Sequence, residues 1–237
     1  MARSKPKAVL FDLAGTILTQ KRWDLQDGIA KLLPHVRNPR GVTGDQMKAE
    51  LKHLLEDVFP RYNEAMIEFP VKASLRLVCE RLGIEFPMSP AELEWLYFKE
   101  STWYIPEPGA EDVLLDLMHR EIPAGIVTNM PFAGNTIQRE LKILGLDQLI
   151  RFVVSSADYG VRKPHPNIFL AAAGKFDVPP AEVWMIGDNA AYDVVGAQAA
   201  GMKTIWYNPS GVVTPDITPD AVLMNWPGVE MYFNDGL

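Results

Sequence analysis

Cysteine is nearly absent. Cys79 is the single one among 237 residues, which excludes an internal disulfide framework and suits a reducing compartment, so a cytoplasmic protein is expected. Surplus positive charge is absent too. With 23 Lys and Arg against 30 Asp and Glu, the net charge is −7. Nucleic-acid binding rests on cations that neutralise phosphates, so this balance argues against it. No apolar run approaches the roughly 20 residues needed to cross a bilayer, and no membrane association is expected. The basic opening "MARSKPK" has the charge of a signal-peptide start. The apolar run behind it is broken by Asp12 and followed by the charged "QKRWD", so no leader is expected. Internal repeats and low-complexity segments are also missing.

What remains is a chain 48% hydrophobic and 22% charged, the balance of a soluble globular protein of one large or two modest domains. Residues 7–12 read as a short buried strand. From about 20 to 104 the pattern is helical. In "DQMKAELKHLLEDVF", Met47, Leu51, Leu54, Leu55 and Val58 recur at helical spacing with charges opposite. "VKASLRLVCERLG" ends on Gly83, a helix-terminating glycine. "SPAELEWLYFKES" begins with Ser89 as N-cap and Pro90 in the first turn. No strand is expected in this stretch, and the aromatics of "WLYFKESTWYIP" read as core packing rather than as a cleft lining. From 108 onward, helices alternate with the apolar strands "PAGIVTN", "IRFVVSS", "EVWMIGDN" and "KTIWYNP". That alternation predicts a parallel sheet covered by helices on both faces. A short strand near Val222 and a short helix near Val229 complete the reading.

Three of these strands end in polar residues: Asp12, Thr128-Asn129 and Asp188-Asn189. A fourth leads into the loop carrying Lys163. In an open parallel sheet ligands bind beyond the carboxyl ends of the strands, so these residues should converge on one crevice. Each alone is also an ordinary turn or cap residue; the ordered combination carries the argument. Acids grouped at one sheet edge need countercharge, which one lysine and a hard divalent cation on carboxylate oxygens would supply.

Taken together, "FDLAGT", "IVTN", "RKPHPNIF" and "GDNAAYDVVGA" resemble the four motifs of the haloacid dehalogenase-like hydrolases, in that family's order. The resemblance covers about 7–18 and 104–207. It implies an α/β Rossmann-like core of residues 1–19 and 105–237, with an inserted α-helical cap over 20–104 that closes over the site. It implies Mg²⁺ as cofactor, and Asp12 as the nucleophile that forms an aspartyl-phosphate on a small phosphorylated or phosphonate metabolite. Gly15 and Thr16 match the turn after the nucleophile and count among the substrate-binding residues. Thr128 matches the hydroxyl that hydrogen-bonds the phosphoryl oxygens, with the Asn129 N–H beside it. Lys163 matches the cation between nucleophile and phosphate. Asp12, the Ala14 carbonyl, Asp188 and Asp193 match the metal site. His165 reads as a loop residue.

One position departs from the pattern. Most phosphatases of this family carry a second aspartate two residues after the nucleophile, as general acid and base. Ala14 can do neither job, and such help is worth roughly 10²–10⁴-fold. Three readings follow. The chain is a Mg²⁺-dependent phosphohydrolase limited to good leaving groups or borrowing an acid. It is phosphonatase-like, resembling phosphonoacetaldehyde hydrolase, with Lys52 as a Schiff-base amine, although Lys52 also has the spacing of a solvated helix face with Lys48 and Glu56. Or it is a nearly inactive relative that binds Mg²⁺ and a phosphorylated ligand. A 2-haloacid dehalogenase fits worse, because that branch has a tyrosine at the position of Ala14 and lacks the "GD" signature.

Overall fold

The computed structural model describes residues 5–236. In chain order it contains β1 (Ala8–Phe11), β2 (Leu18–Trp23), α1 (Leu25–Lys31), α2 (Gly44–His53), α3 (Phe59–Glu64), α4 (Val71–Leu82), α5 (Pro90–Ser101), β3 (Thr102–Pro106), α6 (Ala110–His119), β4 (Ala124–Thr128) and α7 (Gly134–Ile143). There follow β5 (Val153–Ser155), α8 (Ser156–Tyr159), α9 (Pro166–Gly174), β6 (Val183–Gly187), α10 (Val195–Ala199), β7 (Lys203–Tyr207), β8 (Ala221–Leu223) and α11 (Glu230–Asp235). A π-helical turn, Leu54–Val58, joins α2 to α3, and another, Ala190–Val194, leads into α10.

Six strands form one parallel sheet in the order β5-β4-β1-β6-β7-β8. Its strands are apolar on both sides because both faces are covered. Val9 and Phe11 of β1 join one apolar cluster with Val113 and Leu117 of α6 and Ile137 of α7. Ala8 and Leu10 join a second with Ile168 and Phe169 of α9 and Ala197 of α10. This is the expected Rossmann-like α/β sheet with helices on both faces, and the short strand and helix expected near Val222 and Val229 are present as β8 and α11.

Local chemistry sets the helix borders. Thr43 and Ser89 each form a capping box, with Gln46 and Glu92 respectively. Gly83 ends α4 with φ 66°, a left-handed conformation that costs glycine nothing.

The expectation of no strand between 20 and 104 is incorrect. β2 and β3 pair antiparallel as a separate two-stranded ribbon, so strand structure reaches past residue 20 at one end and begins at Thr102 at the other. The sequence "LTQKRW" shows no apolar alternation because four of its six residues are exposed. It is extended through pairing with β3, not through a buried face. The aromatic stretch behaves largely as expected: Tyr97, Phe98 and Tyr104 are buried, although Trp103 is 58% exposed.

Candidate active site

Register brings the strand ends together. Phe11 of β1 lies opposite Ile126 of β4 and Ile186 of β6. Asp12, the next residue, is therefore level with Val127 and Gly187, one step short of Thr128 and Asp188. The Asp12 N–H donates to the Ile186 carbonyl at 2.9 Å, holding the residue at the sheet end. The chain then turns sharply at Gly15, whose φ is 90°. A Cβ at Gly15 would run into the Asp188 carboxylate, so a side chain there is excluded both by space and by conformation.

Lys163 is the hub. Its Nζ lies 2.5 Å from Asp12 Oδ1 and 2.6 Å from Asp193 Oδ1, and it donates to the Val127 carbonyl at 3.0 Å. The side chain is 3% exposed. Burial opposes its charge, but Asp12 and Asp193 outweigh burial and raise its pKa above the ordinary lysine value. Asn129 fixes the backbone that carries it. The Asn129 Nδ2 donates to the Lys163 carbonyl at 2.9 Å, and its Oδ1 accepts the Lys163 N–H at 2.7 Å.

The acids form a tight group. Carboxylate oxygens of Asp12, Asp188 and Asp193 all lie within 4.8 Å of one another. Burial first, then the charges of Asp12 and Asp193, push Asp188 up to about 7. Burial also pushes Asp193 up to about 6; the charge of Asp12 acts in the same direction, and Lys163 opposes both. One lysine does not offset three carboxylates, so the group is short of positive charge. An all-oxygen donor set with an unbalanced negative charge fits a hard divalent cation such as Mg²⁺. Asp193 sits in the π-helical turn, where its Oδ2 also accepts the Asn189 N–H at 3.0 Å. Gly187 must lack a side chain there, because a Cβ would collide with the Asp193 carboxylate.

A pocket of about 270 Å³ opens over this group. Asp12, Ala14, Thr128, Asn129, Lys163, Asp188 and Asp193 all line it. Gly15 and Thr16, expected among the substrate-binding residues, stand behind it. The Thr16 hydroxyl donates to Asp188 Oδ1 at 3.3 Å and the residue is fully buried, while the Gly15 N–H donates to the Leu18 carbonyl. Their contacts are with the acidic group and the turn. The wall also includes Gln20, Trp23, Met130, Arg162 and Tyr192, which sequence reasoning did not single out. Tyr192 and Arg162 lie inside the quoted motifs; Gln20 and Trp23 carry no sequence signal.

Three other residues have plain settings. Lys52 is half-exposed, 3.7 Å from Glu56, in the i,i+4 pairing of a solvated helix face. His165 caps α9, its ring nitrogen accepting the Asn167 N–H. Burial pushes the Cys79 thiol up to about 11, the opposite of the lowered pKa that activates a nucleophilic cysteine.

A pocket at the carboxyl edge of a parallel sheet, built on a buried carboxylate–lysine pair with two further acids, is the arrangement of a particular class of hydrolases. The family model of haloacid dehalogenase-like hydrolases matches residues 6–201, and the chain belongs to that family.

Within the family, the chain is 40% identical over 216 residues to the glyceraldehyde 3-phosphate phosphatase of Pyrococcus abyssi, a match covering 85% of this chain and 81% of that one. It is 32% identical over 211 residues to the enzyme of the same name from Pyrococcus furiosus, covering 85% and 80%. Among solved structures, a HAD phosphatase from Thermococcus onnurineus aligns over 97% of this chain and 98% of its own, with a TM-score of 0.62 at 24% identity. A 2-haloacid dehalogenase from Pseudomonas syringae aligns over 99% of each, with a TM-score of 0.63 at 23% identity. These structural likenesses concern the fold alone.

Proposed function

We propose that the protein is a Mg²⁺-dependent phosphohydrolase that acts on a small phosphorylated metabolite through a phosphoryl group carried on Asp12. The observation that carries this reading is the Lys163 bridge. The lysine touches both the would-be nucleophile Asp12 and the acid Asp193, which sets a buried cation beside the nucleophile at a site for an anion. Similarity to glyceraldehyde 3-phosphate phosphatases over most of both chains supports the substrate class, without naming the molecule.

In this reading the helical segment 20–104 is a cap over the core of residues 1–19 and 105–237. Asp12 attacks phosphorus while Thr128, the Asn129 N–H and Lys163 hold the phosphoryl oxygens. Gly15 and Thr16 keep the turn and the Asp188 carboxylate in position. Asp12, the Ala14 carbonyl and Asp188 would hold the cation, with Asp193 completing the acidic group and orienting Lys163. Bound Mg²⁺ would offset the negative charge that otherwise repels the substrate dianion. The phosphonatase reading needs an amine at Lys52, and the ion pair on an outward helix face gives that reading no support. A cytoplasmic setting belongs to the same proposal and rests on the lone cysteine.

The test is phosphate release from p-nitrophenyl phosphate and a panel of alkyl phosphates, with and without Mg²⁺. Metal-dependent turnover that Asp12→Asn abolishes is the expected result. Full turnover by Asp12→Asn overturns the nucleophile assignment. Ala14→Asp should raise turnover of alkyl phosphates, by up to about 10²-fold if it restores general acid catalysis, while changing the aryl ester less, because p-nitrophenolate leaves without a proton.

A further inference from the structure

The absence of a carboxyl group at Ala14 leaves open what directs water at the phosphoryl group. The β2–β3 ribbon brings one side chain suited to that task. Gln20 lies opposite Tyr104, Arg22 opposite Trp103, and Trp23 opposite Thr102. Lys21 is therefore the extra residue of a β-bulge. In an unbroken strand, residues three apart point to opposite faces. The bulge instead puts Gln20 and Trp23 on one face, that of Tyr104 and Thr102, and both line the pocket above Asp12. Bulges are over-represented beside active sites, where they re-aim a side chain.

The amide of Gln20 is held. Tyr104 donates its hydroxyl to Gln20 Oε1 at 3.3 Å. Tyr104 is 1% exposed and its ring stacks on Phe98 with centroids 6.0 Å apart. Burial first, then the neighbouring Asp12 charge, keeps that hydroxyl protonated. One Oε1 lone pair is thus occupied. The other, and both Nε2 hydrogens, remain for the pocket. Three other polar wall residues are committed or unsuited. Asn129 spends both ends of its amide on the Lys163 backbone. Asn189 uses its Oδ1 to cap the following turn. Arg162 is paired with Glu68 and has no acceptor.

We propose that Gln20 orients the water that attacks the phosphoryl group on Asp12, standing in for the carboxylate that Ala14 lacks. This rests on the phosphoryl-Asp12 reading. Oε1 accepts one water hydrogen while Nε2 donates to a phosphoryl oxygen. The water oxygen forms its bond to phosphorus as the bond between phosphorus and Asp12 Oδ breaks. The displaced water proton passes to a phosphoryl oxygen, giving inorganic phosphate and a free Asp12 carboxylate. The amide exchanges no proton, and its contribution is orientation.

The test is acid quench of the Mg²⁺-loaded enzyme mixed with p-nitrophenyl phosphate, reading p-nitrophenol release and protein-bound phosphate together. In Gln20→Ala, p-nitrophenol release in the first turnover should match the native enzyme, while decay of the phosphoprotein slows by roughly 10–100-fold. Phosphoprotein should then accumulate at steady state. Tyr104→Phe keeps the ring and removes the hydroxyl that holds the amide. It should slow the same step, by less. Unchanged decay in Gln20→Ala overturns the proposal, as does a loss shared equally by both steps, which would mark a binding role. Full turnover by Asp12→Asn, with no trapped phosphoprotein in the native enzyme, instead overturns the phosphoryl-Asp12 reading beneath it.

Discussion

Single residues at this site are tuned by charge. Asp188 and Asp193 have pKa values raised from 3.8 to about 7 and about 6, first by burial. The folded protein therefore keeps protons that the unfolded chain has already lost. Without metal, stability should fall as pH rises from about 4 to about 7, and level off above that. The raised pKa of Lys163 acts in the same sense but far outside this window, since the stability its charge contributes is lost only at strongly alkaline pH. A cation that binds the ionised acids must displace those protons, so its affinity grows across the same window. The prediction is a Mg²⁺-induced rise in Tm that is clearly larger at pH 8 than at pH 5.5. Asp188→Asn should raise the metal-free Tm at pH 8 and remove most of the Mg²⁺ effect. An equal Mg²⁺ shift at both pH values would show that this acidic group is not where the metal binds.

Elements were legible where their burial pattern is strong. The four apolar strands after residue 108 and the amphipathic helices could be read because each spends its apolar residues on a face that the sheet needs. Asp12, Thr128, Lys163 and Asp188 could be placed because they follow such strands. The ribbon of β2 and β3 could not, since its extended state comes from mutual pairing across 80 residues and its exposed side chains leave no periodic trace. The same holds for Gln20, whose direction is set by a bulge in that ribbon. Contacts between distant elements were equally invisible. Glu94 of α5 is fully buried, and its carboxylate accepts the Ala133 N–H at 2.9 Å and the Thr136 hydroxyl at 3.0 Å. It caps α7 from another helix, with Lys72 at 3.1 Å as its cation. Glu94→Ala leaves the Ala133 N–H, just before α7, and the Thr136 hydroxyl buried without that acceptor. It should cost about 3 kcal/mol, a fall in Tm of roughly 6–12 °C. Glu94→Gln keeps an acceptor and should cost less. A Tm for Glu94→Ala within a degree of the native value would remove the cap from the argument.

At the scale of the whole molecule, the helical segment and the sheet are parts of one packed body. A single apolar cluster runs from Val9, Phe11 and Ile186 of the sheet to Ile29, Met47, Leu75 and Tyr97 of the helices. Polar contacts cross the same boundary. Glu68 pairs with Arg162, the residue before the site lysine, and accepts the Ser156 hydroxyl at 2.5 Å. The backbone of Ile67 bridges that of Val161, the Val71 N–H donates to the Pro131 carbonyl, and Lys99 pairs with Glu140 at 2.8 Å. The helical segment thus holds the loop that carries Lys163. Removing them would expose apolar surface on both sides, at about 25 cal/mol per Å², and would strand Glu68 and Glu140 without their cations. The larger of the apolar clusters is shared between the two parts. Unfolding in urea should therefore be one cooperative transition, with the same midpoint by tryptophan fluorescence, far-UV circular dichroism and loss of phosphate release. Residues 24–101 expressed alone should lack a cooperative transition. Two separated midpoints, or a folded 24–101 fragment, would mean that the helices form an independent domain, and that the link from Glu68 to the Lys163 loop is a contact between separate bodies rather than part of one core.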